Sequence, residues 1–354
     1  MTGDVRHKAT GRAEDSVDPL PDGGAGAGRY APARESAGMN GCTESSLAAQ
    51  NRAGQATEDA FGPCAGVSLL VEGGGMRGFY SAGVLKCLYD EGLTFPLVIG
   101  VSSGALNAAA FVAGELDLDF AGLTEKFGRS PLSLITPAGL VHPRAGLIKT
   151  DALIDLFCGD CWEGVQASPS RLLIPATDAQ TGKLAWWGNG DFAAGPQALR
   201  ACLAASASIP FVMPQARVGG RVYADGGIRD SIPLDRAEQS GYTRHVLLLT
   251  RPRGYVKGRQ HLELCLRAWL RPYPALKRAM LARHVNYNAS ARRAERLEGE
   301  GRAFVFRMGA DAQVLGRFEY SPAKFEVCYQ AGYRAAQARM GELRAWLAGG
   351  EQRR

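Results

Sequence analysis

The sequence predicts a three-layer α/β/α fold, in which helices cover both faces of a mostly parallel central sheet. Short apolar runs rich in Val, Ile and Leu alternate with longer helical segments, which is typical of parallel strands joined by helices. Glycine-rich turns follow three of these runs, at the strand ends where such sheets place their sites. The chain has 354 residues, 46% hydrophobic and 21% charged, so it can bury a sizeable core.

The composition divides the chain into three segments. Residues 1–65 are rich in Gly, Ala, Ser and charged residues without helical or strand periodicity, so we expect a disordered tail. Residues 66–250 carry the strand pattern and form the predicted main domain, with its motifs within 66–235. Residues 251–354 are expected to form a basic, mainly helical extension packed on that domain. The apolar runs are too short for a signal peptide or a membrane span, which predicts a cytoplasmic protein.

The first predicted strand, residues 67–71, ends in a glycine-rich segment that opens a helix running to about Glu91. This segment comprises Gly73, Gly74, Gly75, Met76, Arg77 and Gly78. Bare backbone N–H groups at a helix N-terminus suit either an oxyanion or a phosphate, as in a dinucleotide-binding G-x-G-x-x-G loop. The dinucleotide interpretation requires an acidic residue near the end of the next strand. Gly100-Val101-Ser102 stands there instead, so the sequence favours an oxyanion hole.

The second predicted strand begins at Leu97 and runs into the pattern G-x-S-x-G, formed by Gly100, Ser102 and Gly104. This arrangement exposes a serine nucleophile on a sharp turn, where glycines avoid steric clashes. Ser102 is therefore a candidate catalytic residue. An ordinary tight turn is the alternative interpretation, because glycine and serine are common turn residues.

Residues 172–178 predict a buried strand that ends in a polar turn, and residues 183–187 predict its returning partner. Trp186 and Trp187 of the second run are expected to pack in the core and at the sheet edge. Just before these strands, Cys158-Gly159-Asp160-Cys161 forms a lone C-x-x-C pair. With no second pair at zinc spacing, we expect no metal or redox site there.

Residues 217–222 predict a further strand, after which Asp225, Gly226 and Gly227 form a D-G-G turn. A serine hydroxyl needs a base to take its proton, and Asp225 is the candidate. An ordinary turn is the alternative interpretation. A hidden triad histidine also remains an alternative, since triad partners meet in space rather than in sequence. The histidines outside the tail are His142, His245, His261 and His284.

Residues 246–250 predict another buried strand, and beyond it the chain turns basic. Residues 251–307 contain 14 Lys and Arg against 4 Glu, in a chain whose net charge is +6. A solvated helical face is the favoured interpretation, and peripheral contact with an anionic membrane is the alternative, with Trp269, Tyr273 and Leu276 at the interface. No recognition motif accompanies the charge, so we expect no nucleic-acid partner. Residues 322–347 predict one final helix with an apolar packing stripe.

In this order, the glycine-rich segment, G-x-S-x-G and D-G-G resemble the motifs of the patatin-like phospholipases, a family of acyl hydrolases. The resemblance covers about residues 66–235 and implies a patatin-like fold. It also implies a Ser-Asp dyad instead of a Ser-His-Asp triad, with Ser102 as nucleophile and Asp225 as base. The oxyanion hole maps onto the glycine-rich segment, to the amides of Gly74, Gly75 and Met76.

Two further residues match the family, and residues 250–255 with the basic segment after them resemble a bacterial subgroup of it. Arg77 occupies the basic position commonly found in the glycine-rich loop of the family. Pro210 follows Ser208 and matches a Ser-x-x-Pro-like stretch ahead of D-G-G.

The sequence therefore predicts a lipid acyl hydrolase, a serine esterase that cleaves carboxylic esters through an acyl-serine intermediate. Burial raises the basicity of a carboxylate, so Asp225 could act on Ser102 without a histidine. The expected partner is a lipid or ester substrate, and this scheme needs no metal or cofactor. The alternative from another class is a catalytically silent module that binds a lipid or a nucleotide through the glycine-rich loop.

Overall fold

Eight strands form one central sheet in the computed structural model, which describes residues 60–128, 148–259, 270–309 and 321–349. The strands follow the order β5-β6-β3-β2-β1-β7-β8, and β4 pairs with β3 beside this path. The five strands from β3 to β8 along this path are parallel to their neighbours, whereas β4, β5 and β6 pair in antiparallel fashion. The strands are β1 (Val67–Val71), β2 (Leu97–Gly100), β3 (Arg171–Asp178), β4 (Leu184–Gly188), β5 (Ala216–Val218), β6 (Arg221–Asp225), β7 (Arg244–Leu249) and β8 (Ala303–Arg307).

Helices cover both faces of this sheet. They are α1 (Gly78–Asp90), α2 (Ser103–Ala113), α3 (Phe120–Gly128), α4 (Thr150–Phe157), α5 (Trp162–Ala167), α6 (Pro196–Ala207), α7 (Leu234–Gln239), α8 (Pro274–Gly299), α9 (Pro322–Ala338) and α10 (Met340–Ala348). The sheet has one hydrophobic core on each face, and alternate residues of β1 point into them. Leu69 packs with α1, α2 and α9, and Leu70 packs with α7 and α8. Three layers result, which confirms the predicted fold class.

The central strands are buried along their whole length. Every residue of β1 and β2 is buried, as are five of the six residues of β7. Parallel strands covered on both faces have this continuous apolar character, which explains why short Val, Ile and Leu runs predicted them.

The predicted strand over residues 217–222 is instead a hairpin. Gly219 and Gly220 both have positive φ, of 56° and 76°, and together they form the two-residue turn between β5 and β6. Two consecutive positive φ values match the twist that a tight hairpin requires, and glycine adopts them without strain. The chain therefore reverses at these glycines, and only β6 leads on to Asp225.

The C-terminal part contributes to the same sheet. The basic segment contains β8, which pairs in parallel with β7 and was expected as helix. The single helix predicted over residues 322–347 is two helices, α9 and α10, because the backbone leaves helical geometry at Arg339, with φ −107°. The Arg339 guanidinium lies 4.4 Å from the ring centroid of Phe304 on β8.

The last residues of the predicted N-terminal tail are folded and partly buried. Residues 60–64 form a helical turn in which Phe61 and Cys64 are buried. The rest of the predicted tail, residues 1–59, lies outside the described residues, as does Trp269. Leu276, which the membrane alternative would place at an interface, is buried beneath β6. Within the described ranges, none of the helices combines the length and apolar character that a bilayer crossing requires.

Candidate active site

Ser102 stands on the sharp turn between β2 and α2. Its backbone has φ 58° and ψ −127°, a conformation that non-glycine residues rarely adopt. The flanking glycines allow this turn: a Cβ on Gly100 would lie 2.3 Å from the Gly104 carbonyl oxygen. A Cβ on Gly104 would lie 2.3 Å from the carbonyl oxygen of Val71 on β1. The turn is further held by the Ser102 N–H, which donates to Ser206 Oγ at 3.0 Å.

Asp225 lies at the carboxyl end of β6, beside this serine. Ser102 Oγ donates to Asp225 Oδ2 over 2.6 Å, although the two residues are 123 positions apart in the chain. The second carboxylate oxygen, Oδ1, accepts the Gly227 N–H at 2.8 Å. Thr177 Oγ1 on β3 donates to the Asp225 carbonyl oxygen at 2.9 Å. Ser102 and Asp225 are only 6% and 2% exposed, so water has little access to their hydrogen bond.

The glycine-rich segment lies directly against the serine. A Cβ on Gly73 would lie 2.7 Å from Ser102 Cβ, so only glycine permits this approach. The Gly74 N–H donates to Ser103 Oγ at 3.0 Å, which engages one of the three amides expected in the oxyanion hole. The amides of Gly75 and Met76 open a 3-10 turn, where the first N–H groups have no partner within the helix.

Gly78 and Arg77 anchor the glycine-rich segment to its surroundings. Gly78 begins α1, and its carbonyl oxygen accepts Asn107 Nδ2 of α2 at 2.8 Å. Arg77 is buried at 5% exposure within the 3-10 turn.

The D-G-G turn is also tightly packed. Gly226 and Gly227 begin the 3-10 turn that follows Asp225, and a Cβ on Gly226 would lie 2.5 Å from the Pro175 carbonyl oxygen.

Ser102 lies between two cavities of different character. One is apolar and is lined by Met76, Leu106, Ile148, Leu153, Phe157, Val212 and Met213. The other is polar and contains Asp225, Gly227, Ser231 and Arg283 beside the glycine-rich segment. The Ser102 side chain thus borders one small apolar and one small polar cavity.

The two described histidines form hydrogen bonds with residues other than Ser102 and Asp225. His245 Nδ1 lies 2.8 Å from Ser68 Oγ inside the sheet, and His284 Nδ1 lies 3.0 Å from the Leu281 carbonyl oxygen. His142 and His261 lie outside the described residues. In the part of the chain that the structure describes, no group of three or more His, Cys, Asp or Glu residues is arranged to hold a metal ion.

Sequence reasoning missed three residues that complete the site. Ser206 orients the Ser102 backbone, and Arg283 lines the polar cavity from α8. Glu72 is buried behind the glycine-rich segment, where Oε2 accepts the Thr250 N–H at 2.7 Å. Glu72 directly precedes Gly73 and could have been found as a charged residue at the end of a buried strand. No local pattern indicates Arg283, because the packing of a distant helix places it.

Comparison with known proteins finds two family matches and several relatives. Residues 69–238 match the family described as patatin-like phospholipase, and residues 273–348 match a domain of unknown function, DUF6363. The uncharacterized NTE family protein Rv1063c of Mycobacterium tuberculosis is 32% identical over 172 residues, which are 48% of this chain and 44% of that protein. The uncharacterized protein YjjU of Escherichia coli is 27% identical over 200 residues, which are 52% of each chain.

Among solved structures, VipD from Legionella pneumophila aligns over 78% of this chain and 66% of its own, with 12% identity and a TM-score of 0.39. The chain thus matches about half of the length of these curated relatives. Residues 69–238 therefore form a patatin-like phospholipase domain.

Proposed function

We propose that this protein is a lipid acyl hydrolase in which Ser102 is the nucleophile and Asp225 is the base. The observation that carries the proposal is the 2.6 Å hydrogen bond from Ser102 Oγ to Asp225 Oδ2 in a buried site. A nucleophile in direct contact with its base, on a strained turn beside the first amides of a 3-10 turn, is an arrangement suited to acyl transfer.

The first half of the reaction forms an acyl-serine. Asp225 takes the hydroxyl proton while Ser102 Oγ attacks the ester carbonyl carbon, and the carbonyl oxygen becomes an oxyanion. The amides of Gly75 and Met76 stabilise this charge; loss of one such donor costs about 2.7–4 kcal/mol in other serine hydrolases. The ester C–O bond then breaks, and the leaving alcohol takes the proton from Asp225.

The second half repeats these steps with water. Asp225 accepts a proton from a water molecule, the resulting hydroxide attacks the acyl carbonyl carbon, and Ser102 Oγ leaves with the proton. The apolar cavity at Ser102 is suited to the acyl chain, because Met76, Leu106 and Phe157 offer it no polar partner.

A fluorophosphonate probe distinguishes this enzyme from a silent binding module. We expect covalent labelling of Ser102, detected by peptide mass spectrometry, and no labelling of Ser102→Ala. A chain whose Ser102 stays unlabelled would support the silent module that binds through its glycine-rich loop.

Mutant kinetics then test the dyad. We expect Ser102→Ala and Asp225→Asn each to lower the turnover of a p-nitrophenyl ester by about 10³-fold or more, because either change stops the proton transfer. The double variant should be little worse than either single variant, since the two residues act as one unit.

Histidine variants are the matched controls for this experiment. Each of His142, His245, His261 and His284 is replaced by Gln, and folding is checked by circular dichroism. We expect most of the turnover to remain in all four. A folded histidine variant as inactive as Ser102→Ala, together with an active Asp225→Asn enzyme, would replace the dyad with a triad.

A further inference from the structure

Helix α8 contacts both of the loops that flank Ser102. It spans Pro274–Gly299 within the segment that matches DUF6363, whereas the two loops lie within the patatin-like match. One loop is the D-G-G turn, which contains the candidate base, and the other is the glycine-rich segment, which contains the candidate oxyanion amides. The segment of unknown function therefore reaches two separate parts of one site.

Arg283 is the contact from α8 to the D-G-G turn. Its Nε donates to the Gly227 carbonyl oxygen at 2.8 Å. The N–H of the same Gly227 donates to Asp225 Oδ1 at 2.8 Å, and Asp225 Oδ2 accepts the Ser102 hydroxyl at 2.6 Å. Two hydrogen bonds through Gly227 thus connect Arg283 with the carboxylate of the candidate base.

Tyr287, one helical turn further along α8, is the contact to the glycine-rich segment. Its hydroxyl lies next to the Glu72 carboxylate, and burial together with this negative charge raises the pKa of Tyr287. The phenol therefore stays protonated and can donate to Glu72. Glu72 directly precedes Gly73 in the chain, so this contact reaches the start of the glycine-rich segment.

The Glu72 carboxylate also holds Thr250 against the glycine-rich segment. Glu72 is 3% exposed, and its Oε2 accepts the Thr250 N–H at 2.7 Å. Thr250 Oγ1 donates to the Gly73 carbonyl oxygen at 3.3 Å, and a Cβ on Gly74 would lie 2.7 Å from the same Oγ1. A buried carboxylate that loses a hydrogen-bond partner is costly, so loss of Tyr287 should disturb this packed segment.

Apolar residues fix α8 near both of its ends. Those near the N-terminal end are buried against β6 and those near the C-terminal end against α7, β7 and β8; they are Leu276, Met280, Ala294 and Leu297. Arg283 and Tyr287 lie between these pairs, and residues at spacings of three or four positions share one helix face. The helix therefore presents both side chains from a fixed position.

We propose that α8 is a positioning element of the active site, in which Arg283 holds the D-G-G turn and Tyr287 holds the glycine-rich segment through Glu72; this inference rests on the proposed acyl hydrolase. Each side chain acts through another residue. Together they set where the base carboxylate and the oxyanion amides stand relative to Ser102, and small displacements of such groups slow a reaction strongly. The segment that matches DUF6363 thus serves catalysis in the neighbouring domain.

Steady-state kinetics with p-nitrophenyl acetate test this role. We expect Arg283→Met and Tyr287→Phe each to lower kcat about 10-fold and to leave KM within about twofold, because the base and the amides act most strongly in the transition state. Glu72→Gln should keep more activity than Glu72→Ala, because its amide oxygen can still accept the Thr250 N–H. Urea unfolding of Tyr287→Phe should follow that of the wild type.

Two matched variants control for changes elsewhere in this segment. Tyr329→Phe removes the hydroxyl of another buried tyrosine, on α9, and Arg292→Met removes a positive charge from an exposed position of α8. We expect both to keep the wild-type kcat. An equal fall of kcat in these controls would assign the effect to the packing or charge of the segment and overturn the proposal. Wild-type kcat in Arg283→Met and Tyr287→Phe would overturn it as well.

Hydrogen–deuterium exchange, followed by peptide mass spectrometry, tests the positioning without turnover. Residues 72–78 should exchange about 10-fold faster in Tyr287→Phe, and residues 225–231 about 10-fold faster in Arg283→Met, because each loop loses a buried hydrogen bond. Unchanged exchange in both loops rejects the positioning role.

The two proposals fail in different ways. If wild-type Ser102 is unreactive towards the fluorophosphonate but the loop-specific exchange differences are found, the acyl hydrolase fails and the positioning of both loops by α8 stands. If Ser102 is labelled but exchange and kcat are unchanged in both variants, the hydrolase stands and the role of α8 is rejected.

Discussion

At the scale of single residues, His245 is unusual because it is an ionisable group placed inside the sheet. It lies on β7 opposite Ser68 of β1 and is fully buried. Nδ1 pairs with Ser68 Oγ, and Nε2 has no hydrogen-bond partner among the described residues. Burial lowers the pKa of His245 from 6.5 to about 4, because the charged imidazolium would lose its hydration there.

This histidine should make the protein less stable in acid. Between about pH 6.5 and pH 4 the unfolded chain binds a proton that the folded chain does not, so the free energy of unfolding falls as the pH falls. A shift of this size corresponds to about 3 kcal/mol. We expect His245→Gln to remove most of this loss in urea unfolding at pH 7.5 and pH 4.5.

The control for this prediction is His284→Gln, a half-buried position on α8. Its unfolding free energies at both pH values should follow those of the wild type. An acid loss in His245→Gln as large as in the wild type would show that other groups cause it.

At the scale of elements, the contact between α1 and α9 depends on two glycines. A Cβ on Gly83 of α1 would lie 1.9 Å from the Tyr329 carbonyl oxygen of α9. A Cβ on Gly332 of α9 would lie 2.0 Å from the Tyr80 carbonyl oxygen of α1. The helices therefore touch backbone to backbone, and this close approach lets Phe79 and Phe325 stack with ring centroids 4.5 Å apart.

Alanine at Gly83 should separate these helices. We expect Gly83→Ala to lower the free energy of unfolding by about 1–3 kcal/mol, in spite of the higher helix propensity of alanine. Chemical denaturation measures this change. The matched control is Gly341→Ala in α10, where a Cβ meets no atom within 4 Å. It should stabilise the protein by about 0.5–1 kcal/mol; stabilisation by both substitutions would contradict the backbone contact.

At the scale of the whole molecule, the sheet extends beyond the patatin-like match. The match ends at residue 238, whereas β7 and β8 follow at Arg244–Leu249 and Ala303–Arg307. One edge of β7 pairs with β1, the strand that leads into the glycine-rich segment. The other edge of β7 pairs with β8. The C-terminal elements are therefore part of the folded core and not an addition outside it.

Removal of these elements should unfold the protein. A chain that ends at residue 259 loses α8, β8, α9 and α10, which uncovers apolar faces of α1 and of the sheet. We expect it to lack the cooperative thermal transition of the full chain, measured by circular dichroism, because so much burial is lost. A chain that ends at residue 349 keeps every described helix and strand and is the control. An unchanged melting temperature after the cut at 259 would mean that the preceding part folds alone.

Most of the fold could be predicted because its signals are local. The strands β1, β2 and β7 are short apolar runs, and their boundaries follow from the glycines and polar residues beside them. The hairpin at Gly219-Gly220 and the strand β8 were missed, although two adjacent glycines and the run Ala-Phe-Val-Phe were present. Because the neighbouring sequence is basic and helical, the short apolar run of β8 was included in the predicted helices. Its pairing with β7 identifies it as a strand.

The sequence by itself determined the α/β layering, the patatin-like domain and the residues that stand at the ends of β1, β2 and β6, because strand periodicity and glycine turns are local properties. Only the tertiary structure decided that Ser102 Oγ lies 2.6 Å from Asp225 Oδ2 and that Arg283 enters the same site. Those contacts depend on which strands are neighbours and on how α8 packs against β6. Strand order and helix packing are set by the burial of the whole core, which no single segment encodes.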